Sequence, residues 1–207
     1  MKSIIHLYKE QLVLFRSHYR RTFFGFLILF LSSAFVTFIY SYENPALTVK
    51  LVEQITKIFE GTDLLDPSKS NLELAIGLFL NNTRVCILVV ATGFIPIFIP
   101  ALLILFMNGA IMGIILGFIQ GTGGSAVFSF FTGILPHGLF EIPAILLSGA
   151  LAFFLSKRVL KTWSKGDPFV PHFFNTLKTI GLIMIPLLFL AGFIEAFITP
   201  MIFEWMQ

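Results

Sequence analysis

The sequence predicts an all-α fold: a polytopic membrane protein with a bundle of five transmembrane helices and short amphipathic interfacial helices, N-terminus in and C-terminus out. Three observations lead there. Of 207 residues, 57% are hydrophobic and 12% charged, with a mean hydropathy of +0.91, whereas soluble chains are about a quarter charged. A chain this short leaves much of its surface in water and has nowhere to hide 26 Phe, which excludes a soluble enzyme, a nucleic-acid module and a disordered chain. The apolar residues also fall in stretches long enough to cross the ~30 Å hydrocarbon layer. Finally, the charges segregate by sign along the chain, so the pI of 9.1 is a topology signal. A single cysteine, Cys86, excludes an internal disulfide.

Residues 1–21 form a basic cytoplasmic lead, and residues 22–205 a single transmembrane domain. The lead is too long and polar for a secretory signal, and no small-x-small cleavage site follows Tyr40. Ile4, Ile5, Tyr8, Leu12 and Phe15 recur at helical spacing, while Lys2, Lys9, Arg16, Arg20 and Arg21 supply positive charge, as in an amphipathic helix lying on the inner leaflet. Residues 22–40 carry no charge and make the first span. The net acidic outer loop 41–73 contains the breakers Asn44-Pro45 and Asp66-Pro67 and a small helix, with Leu51, Val52, Ile55, Ile58 and Phe59 on one face and Glu53, Lys57 and Glu60 on the other. That apolar face is expected on the outer leaflet.

The apolar run 74–119 is about twice the bilayer core at ~1.5 Å per residue, so it must be a hairpin. Pro96 and Pro100 place its turn at 93–100, giving spans 74–94 and 101–119. Gly121, Gly123 and Gly124 mark the next turn, followed by a fourth span at 127–156. The basic cluster Lys157, Arg158, Lys161 and Lys165 comes next, then Gly166-Asp167-Pro168, an aromatic interfacial patch at 169–174, and a fifth span at 177–203. Lys- and Arg-rich segments stay in the cytoplasm. The lead and the 157–165 cluster therefore share a side, which requires an even number of crossings between them, and four spans satisfy that.

Away from the helix ends only Arg84, Glu141 and Glu195 are charged within spans. An unpaired charge at mid-bilayer costs at least ~2.5 kcal/mol on insertion scales, so these side chains should face the interior or a water-filled cavity. Counting ~1.5 Å per residue from the outer helix ends, Arg84 and His137 lie ~15 Å deep, Glu141 ~21 Å and Glu195 ~12 Å, with Asn81 and Asn82 at ~11 Å and Asn108 at ~17 Å. Four helices thus contribute to one polar layer. In the fourth span His137 and Glu141 stand four apart on one face, between kink-forming Pro136 and Pro143. In the third, Asn108 precedes Gly109, Gly113 and Gly117, a stripe that lets another helix approach and seats the Asn against the layer. The same stripe could serve a homo-oligomer.

The blocks Asn81-Asn82, Asn108-Gly109-x-x-x-Gly113, Leu135-Pro136-His137-Gly138-x-x-Glu141-x-Pro143-Ala144 and Phe193-Ile194-Glu195-Ala196-Phe197-Ile198-Thr199-Pro200 resemble the stage II sporulation protein M (SpoIIM) family. The resemblance runs over roughly residues 20 to 205, and its most specific block is PHGxxExPA. It implies a multi-pass protein of the bacterial cytoplasmic membrane. In sporulating bacteria the namesake acts in engulfment with partners that remodel peptidoglycan; similar proteins occur beside ABC transporter components and in circular-bacteriocin clusters, where maturation or export is implicated. No catalytic residue is carried over.

Three functional classes remain open. An accessory or scaffold protein fits a chain with no nucleotide-binding motif and no nucleophile elbow. A peptide-handling protein would use the polar layer as an outward-facing cavity. An intramembrane hydrolase would use Glu141 or Glu195 as base, with His137 orienting it, and ranks last because a base needs an oxyanion partner, a role open to Arg84 or Asn108. The plainer reading of Arg84, Glu141 and Glu195 is a buried ion-pair network that fixes helix register, and of His137 a hydrogen bond to a helix carbonyl or to Glu195. Zinc needs three or four ligands, and Cys86, His6, His18 and His172 fall at other depths or on the inner side, so no metal and no cofactor is expected. The expected partners are the lipid bilayer and other membrane or envelope proteins, with an ABC transporter subunit or a peptide substrate among them, and no nucleic acid.

Overall fold

The structure, a computed structural model, describes residues 4–60, 68–95 and 98–205, without the side chains of 58–60. Asp66-Pro67, Pro96 and the Ile58 and Phe59 side chains of the small outer helix thus lie outside the described residues. What is described is helical, with no strand among the described residues. The helices are α1 (Ile4–Glu43), α2 (Pro45–Glu60), α3 (Asn71–Phe94, ending in a 3-10 turn), α4 (Ile99–Gly121), α5 (Ala126–Lys165) and α6 (Val170–Trp205). All but α2 are long and apolar enough to cross a membrane.

Three boundaries differ from the sequence expectation. No break separates the lead from the first span: Ile4–Leu14 runs through a π-turn at Phe15–Tyr19 into Arg20–Glu43. It is tied to the last helix, where Gln11, only 4% exposed, accepts a 2.7 Å hydrogen bond from the Thr179 hydroxyl. The basic cluster 157–165 does not follow α5 but forms its last turns, ending at Gly166 in the left-handed conformation (φ 72°). The aromatic patch 169–174 likewise belongs to the start of α6, with Pro171 in the first turn, where its missing N–H is no loss. A helix is limited by its breakers rather than by the hydrocarbon thickness, and none occurs between Ser156 and Gly166.

Chemistry at the helix ends fixes the turns. Ser70 and Glu73 form a capping box at the start of α3, with the Ser70 N–H donating to Oε2 of Glu73 at 2.9 Å and the Glu73 N–H to Oγ of Ser70 at 3.3 Å. Between α3 and α4, the turn around Gly93 presses on the backbone of α5: a Cβ on Gly93 would stand 2.8 Å from Cα of Ala152, and the Ser156 hydroxyl donates to the Ile95 carbonyl at 3.1 Å. Between α4 and α5, Gly123 supplies a positive φ of 90°, and Ser125 caps α5 by accepting from the Phe128 N–H.

The most extensive helix contact joins α1 to α4. Gly109, Gly113 and Gly117 lie against the carbonyls of Phe30, Ala34 and Phe38, so close that a Cβ at any of them would overlap that backbone. Facing them on α1 is a second row of small side chains, Ser33, Thr37 and Ser41, and the Thr37 hydroxyl stands 3.0 Å from the Ala110 carbonyl across the contact. Such contacts matter in lipid because association between helices there rests on packing and hydrogen bonds. The other axis of the bundle is α5, whose residues 144–152 are all buried between α1, α3 and α6.

The lead and the end of α5 meet at one end of the bundle. Tyr19, fully buried, packs edge-on against Phe154 at 5.2 Å, and His18, His172 and the Arg158 guanidinium also contact the Phe154 ring. The two basic segments therefore share an end.

Gly113→Val should drive α1 and α4 apart. Overpacking typically costs ~1–3 kcal/mol, and more where the obstacle is backbone. The expected outcome is a clearly lower unfolding temperature in detergent and loss of the monodisperse peak. Gly25→Ala, where nothing lies within 4 Å of the added Cβ, should unfold at or slightly above the wild-type temperature.

Candidate functional site

Two of the polar residues come from one turn and a half of α5. Pro136 has no N–H, and its ring crowds the carbonyl four residues back. The helix answers by widening ahead of it into a π-turn, Phe130–Ile134, in which the Leu135 N–H reaches back to the Phe130 carbonyl. The same device recurs twice on α6: Ile180–Met184 precedes Pro186, and Ile194–Ile198 precedes Pro200. Glu195 sits inside the second of these. A π-turn inserts one residue and rotates the helix beyond it by about 100°, and such turns concentrate at functional sites. Pro143 lies within α5 without a widened turn.

These elements surround a cavity of about 460 Å³, to which α1, α3, α4, α5 and α6 all contribute. Its polar lining is Asn81 and Asn82 from α3, Asn108 from α4, Ser129, His137 and Glu141 from α5, and Glu195 from α6. Apolar residues complete it, among them Phe30, Met112 and Ile115. The amides are partly engaged: Nδ2 of Asn108 donates to the Ile104 carbonyl at 2.8 Å, and Asn81 and Asn82 contact each other at 3.3 Å. Asn108 therefore bonds its own helix while bordering the cavity.

Six of the seven residues expected in the polar layer thus line one cavity; the seventh does not. Arg84 is exposed on the outside of α3 and is absent from the lining, and no ion pair joins it to Glu141 or Glu195 among the described residues. The predicted three-charge network is corrected accordingly. The counting along each helix set the depth of Arg84 but not its face, and on α3 the face toward the cavity is taken by Leu78, Asn81 and Asn82. Ser129, by contrast, escaped the sequence reading, because its place on the lining depends on the π-turn after it. The proline two residues beyond that turn was the available signal.

Inside the cavity, ligand atoms of His137, Glu141 and Glu195 lie within 4.8 Å of one another. The third potential ligand, missing from the sequence-based count, is therefore supplied by a second glutamate rather than by a cysteine or another histidine. None of the three side chains has a hydrogen bond or ion pair within the chain among the described residues, and the imidazole Nδ1 is buried without a partner. Two carboxylates at that separation, both ionised, repel by about 3 kcal/mol at an effective dielectric of about 20. A proton or a cation between them relieves that repulsion.

Residues 26–200, which carry this cavity, match the family model described as stage II sporulation protein M. The chain belongs to the SpoIIM family. Among curated proteins, an uncharacterized protein of Methanocaldococcus jannaschii is 34% identical over 125 residues, covering 59% of this chain and 68% of that protein. No solved structure matches the chain. The matched span contains every polar residue that lines the five-helix cavity and leaves out the lead.

Because Arg84 takes no part in the cluster, Arg84→Gln should change the unfolding free energy in detergent by no more than ~0.5 kcal/mol, the usual range for surface substitutions. A partner in a buried ion pair would cost ~3–5 kcal/mol on removal. A loss of that size on chemical or thermal unfolding would put Arg84 back into the network.

Proposed function

We propose that this SpoIIM-family protein is an accessory component of the cytoplasmic membrane that acts with partner proteins of the cell envelope, receiving a polar segment of a partner or peptide in its intramembrane cavity. The observation that carries this reading is the cavity itself: about 460 Å³, bordered by two glutamates and a histidine without partners among the described residues. A bundle that serves only as scaffold has its intramembrane polar groups satisfied by its own helices, as the Thr37 hydroxyl is at the Ala110 carbonyl. Glu141, Glu195 and His137 depart from that pattern. Intramembrane ionisable residues left facing a cavity are characteristic of binding and transport sites.

The orientation that goes with this reading puts the Phe154 end of the bundle, with its Arg and Lys residues, in the cytoplasm, and α2 outside. Cys86 is fully buried, so introduced cysteines can report the orientation in a Cys86→Ala background. In intact cells a membrane-impermeant maleimide should label Lys50→Cys and spare Lys161→Cys until the membrane is opened. The reverse pattern would invert the topology.

In a strain lacking the gene, Glu141→Gln and Glu195→Gln should each accumulate in the membrane at wild-type level and unfold within a few degrees of wild type, yet fail to restore the missing phenotype. Full complementation by the double variant would show that the bundle works by packing alone.

A further inference from the structure

We propose that His137, Glu141 and Glu195 form a divalent transition-metal site of the zinc class in the cavity. The inference deepens the reading of the cavity as a ligand site and rests on it. The donor set is the first ground. His137 and Glu141, four residues apart on α5, present an imidazole and a carboxylate from one helix face, and Glu195 closes the triangle from the π-turn of α6. Imidazole nitrogen with two carboxylate oxygens suits zinc and its first-row neighbours, whereas magnesium and calcium take oxygen alone.

Geometry is the second ground. In an equilateral triangle of side 4.8 Å, the centre lies about 2.8 Å from each corner. Zinc bonds to histidine and carboxylate measure ~2.0–2.2 Å, so each side chain need close by well under an ångström, within the reach of a carboxylate rotation. The site also has room on one side, since all three residues border the cavity. Three protein ligands with a fourth position open to water or to a bound group is the arrangement of reactive zinc centres, whereas structural zinc is closed by four.

Charge is the third. A dication held by two carboxylates and a neutral imidazole is neutral overall. Without a dication the two carboxylates must take up protons or leave negative charge in surroundings where uncompensated charge is heavily penalised. Arg84, the remaining charged group at this depth, faces outward and supplies no compensation. The buried, unpartnered Nδ1 of His137 also fits a ring whose two nitrogens are both meant to be engaged once the site is filled and its surroundings tighten.

The test uses the full-length protein purified in detergent without chelator, loaded with Zn²⁺, washed, and analysed for metal by mass spectrometry. Wild type should retain about one Zn²⁺ per chain and unfold at a higher temperature with Zn²⁺ than with EDTA. Glu195→Gln and His137→Gln should bind at least ~100-fold more weakly and lose the zinc-dependent shift, while His6→Ala, which removes an exposed histidine 3.3 Å from Glu10, should behave as wild type. Should the variants fail to fold, Co²⁺ substitution of wild type decides the matter, because visible absorption bands typical of a nitrogen- and oxygen-ligated site are expected. Wild type that keeps no metal and shows no zinc-dependent shift would overturn the proposal, as would folded variants that retain as much metal as wild type. Loss of complementation in Glu141→Gln, together with a metal-free wild type, would remove the metal and leave the cavity reading standing.

Discussion

Hydrocarbon neither donates nor accepts a hydrogen bond and screens charge poorly, so a carboxylate placed among membrane-spanning helices must take up a proton or find its compensation inside the protein or in something bound to it. Much of this structure can be read as a consequence. The helices α1 and α4 pack closely along their small residues, and the bundle leaves space where His137, Glu141 and Glu195 converge. Close packing comes from the smallest residues: glycines 109, 113 and 117 bring the α4 backbone against the carbonyls of α1. That seam joins two of the five helices that line the cavity, so the polar lining stands on a closely packed frame.

Proline controls where those helices bend. Each of Pro136, Pro186 and Pro200 stands two residues after a π-turn, because the preceding turn must widen to make room for a ring with no N–H to offer. One such turn leads directly into His137, and another contains Glu195. The steric cost of a proline is thereby converted into a rotation that sets which side chains face one another. A straight helix over the same residues would carry them past one another in a different register.

Much of the fold was legible in the sequence, because it is governed by composition and length. Five apolar stretches, the hairpin turn near Gly93 and the even number of crossings between basic segments are dictated by hydropathy and charge alone. The ends of α1, α5 and α6 are not, since a helix continues beyond the bilayer until a breaker such as Gly166 stops it. At the site, rise per residue was enough to place six polar side chains around one cavity. It could not place Arg84, because depth is additive along a helix whereas facing depends on an angle, and on α3 the face toward the cavity is taken by Leu78, Asn81 and Asn82. The metal-type cluster was missed for a related reason: ligand counting looked for cysteine and histidine, and the third ligand was a glutamate 54 positions away on another helix.

The order of the chain gives the buried position of α5 a temporal meaning. Residues 144–152 are all buried, yet α6, one of the helices that bury them, is made after α5. Glu141 therefore meets Glu195 only once α6 has packed against α5. The cavity is thus a property of the assembled bundle, since its polar lining is complete only with the residue that α6 supplies.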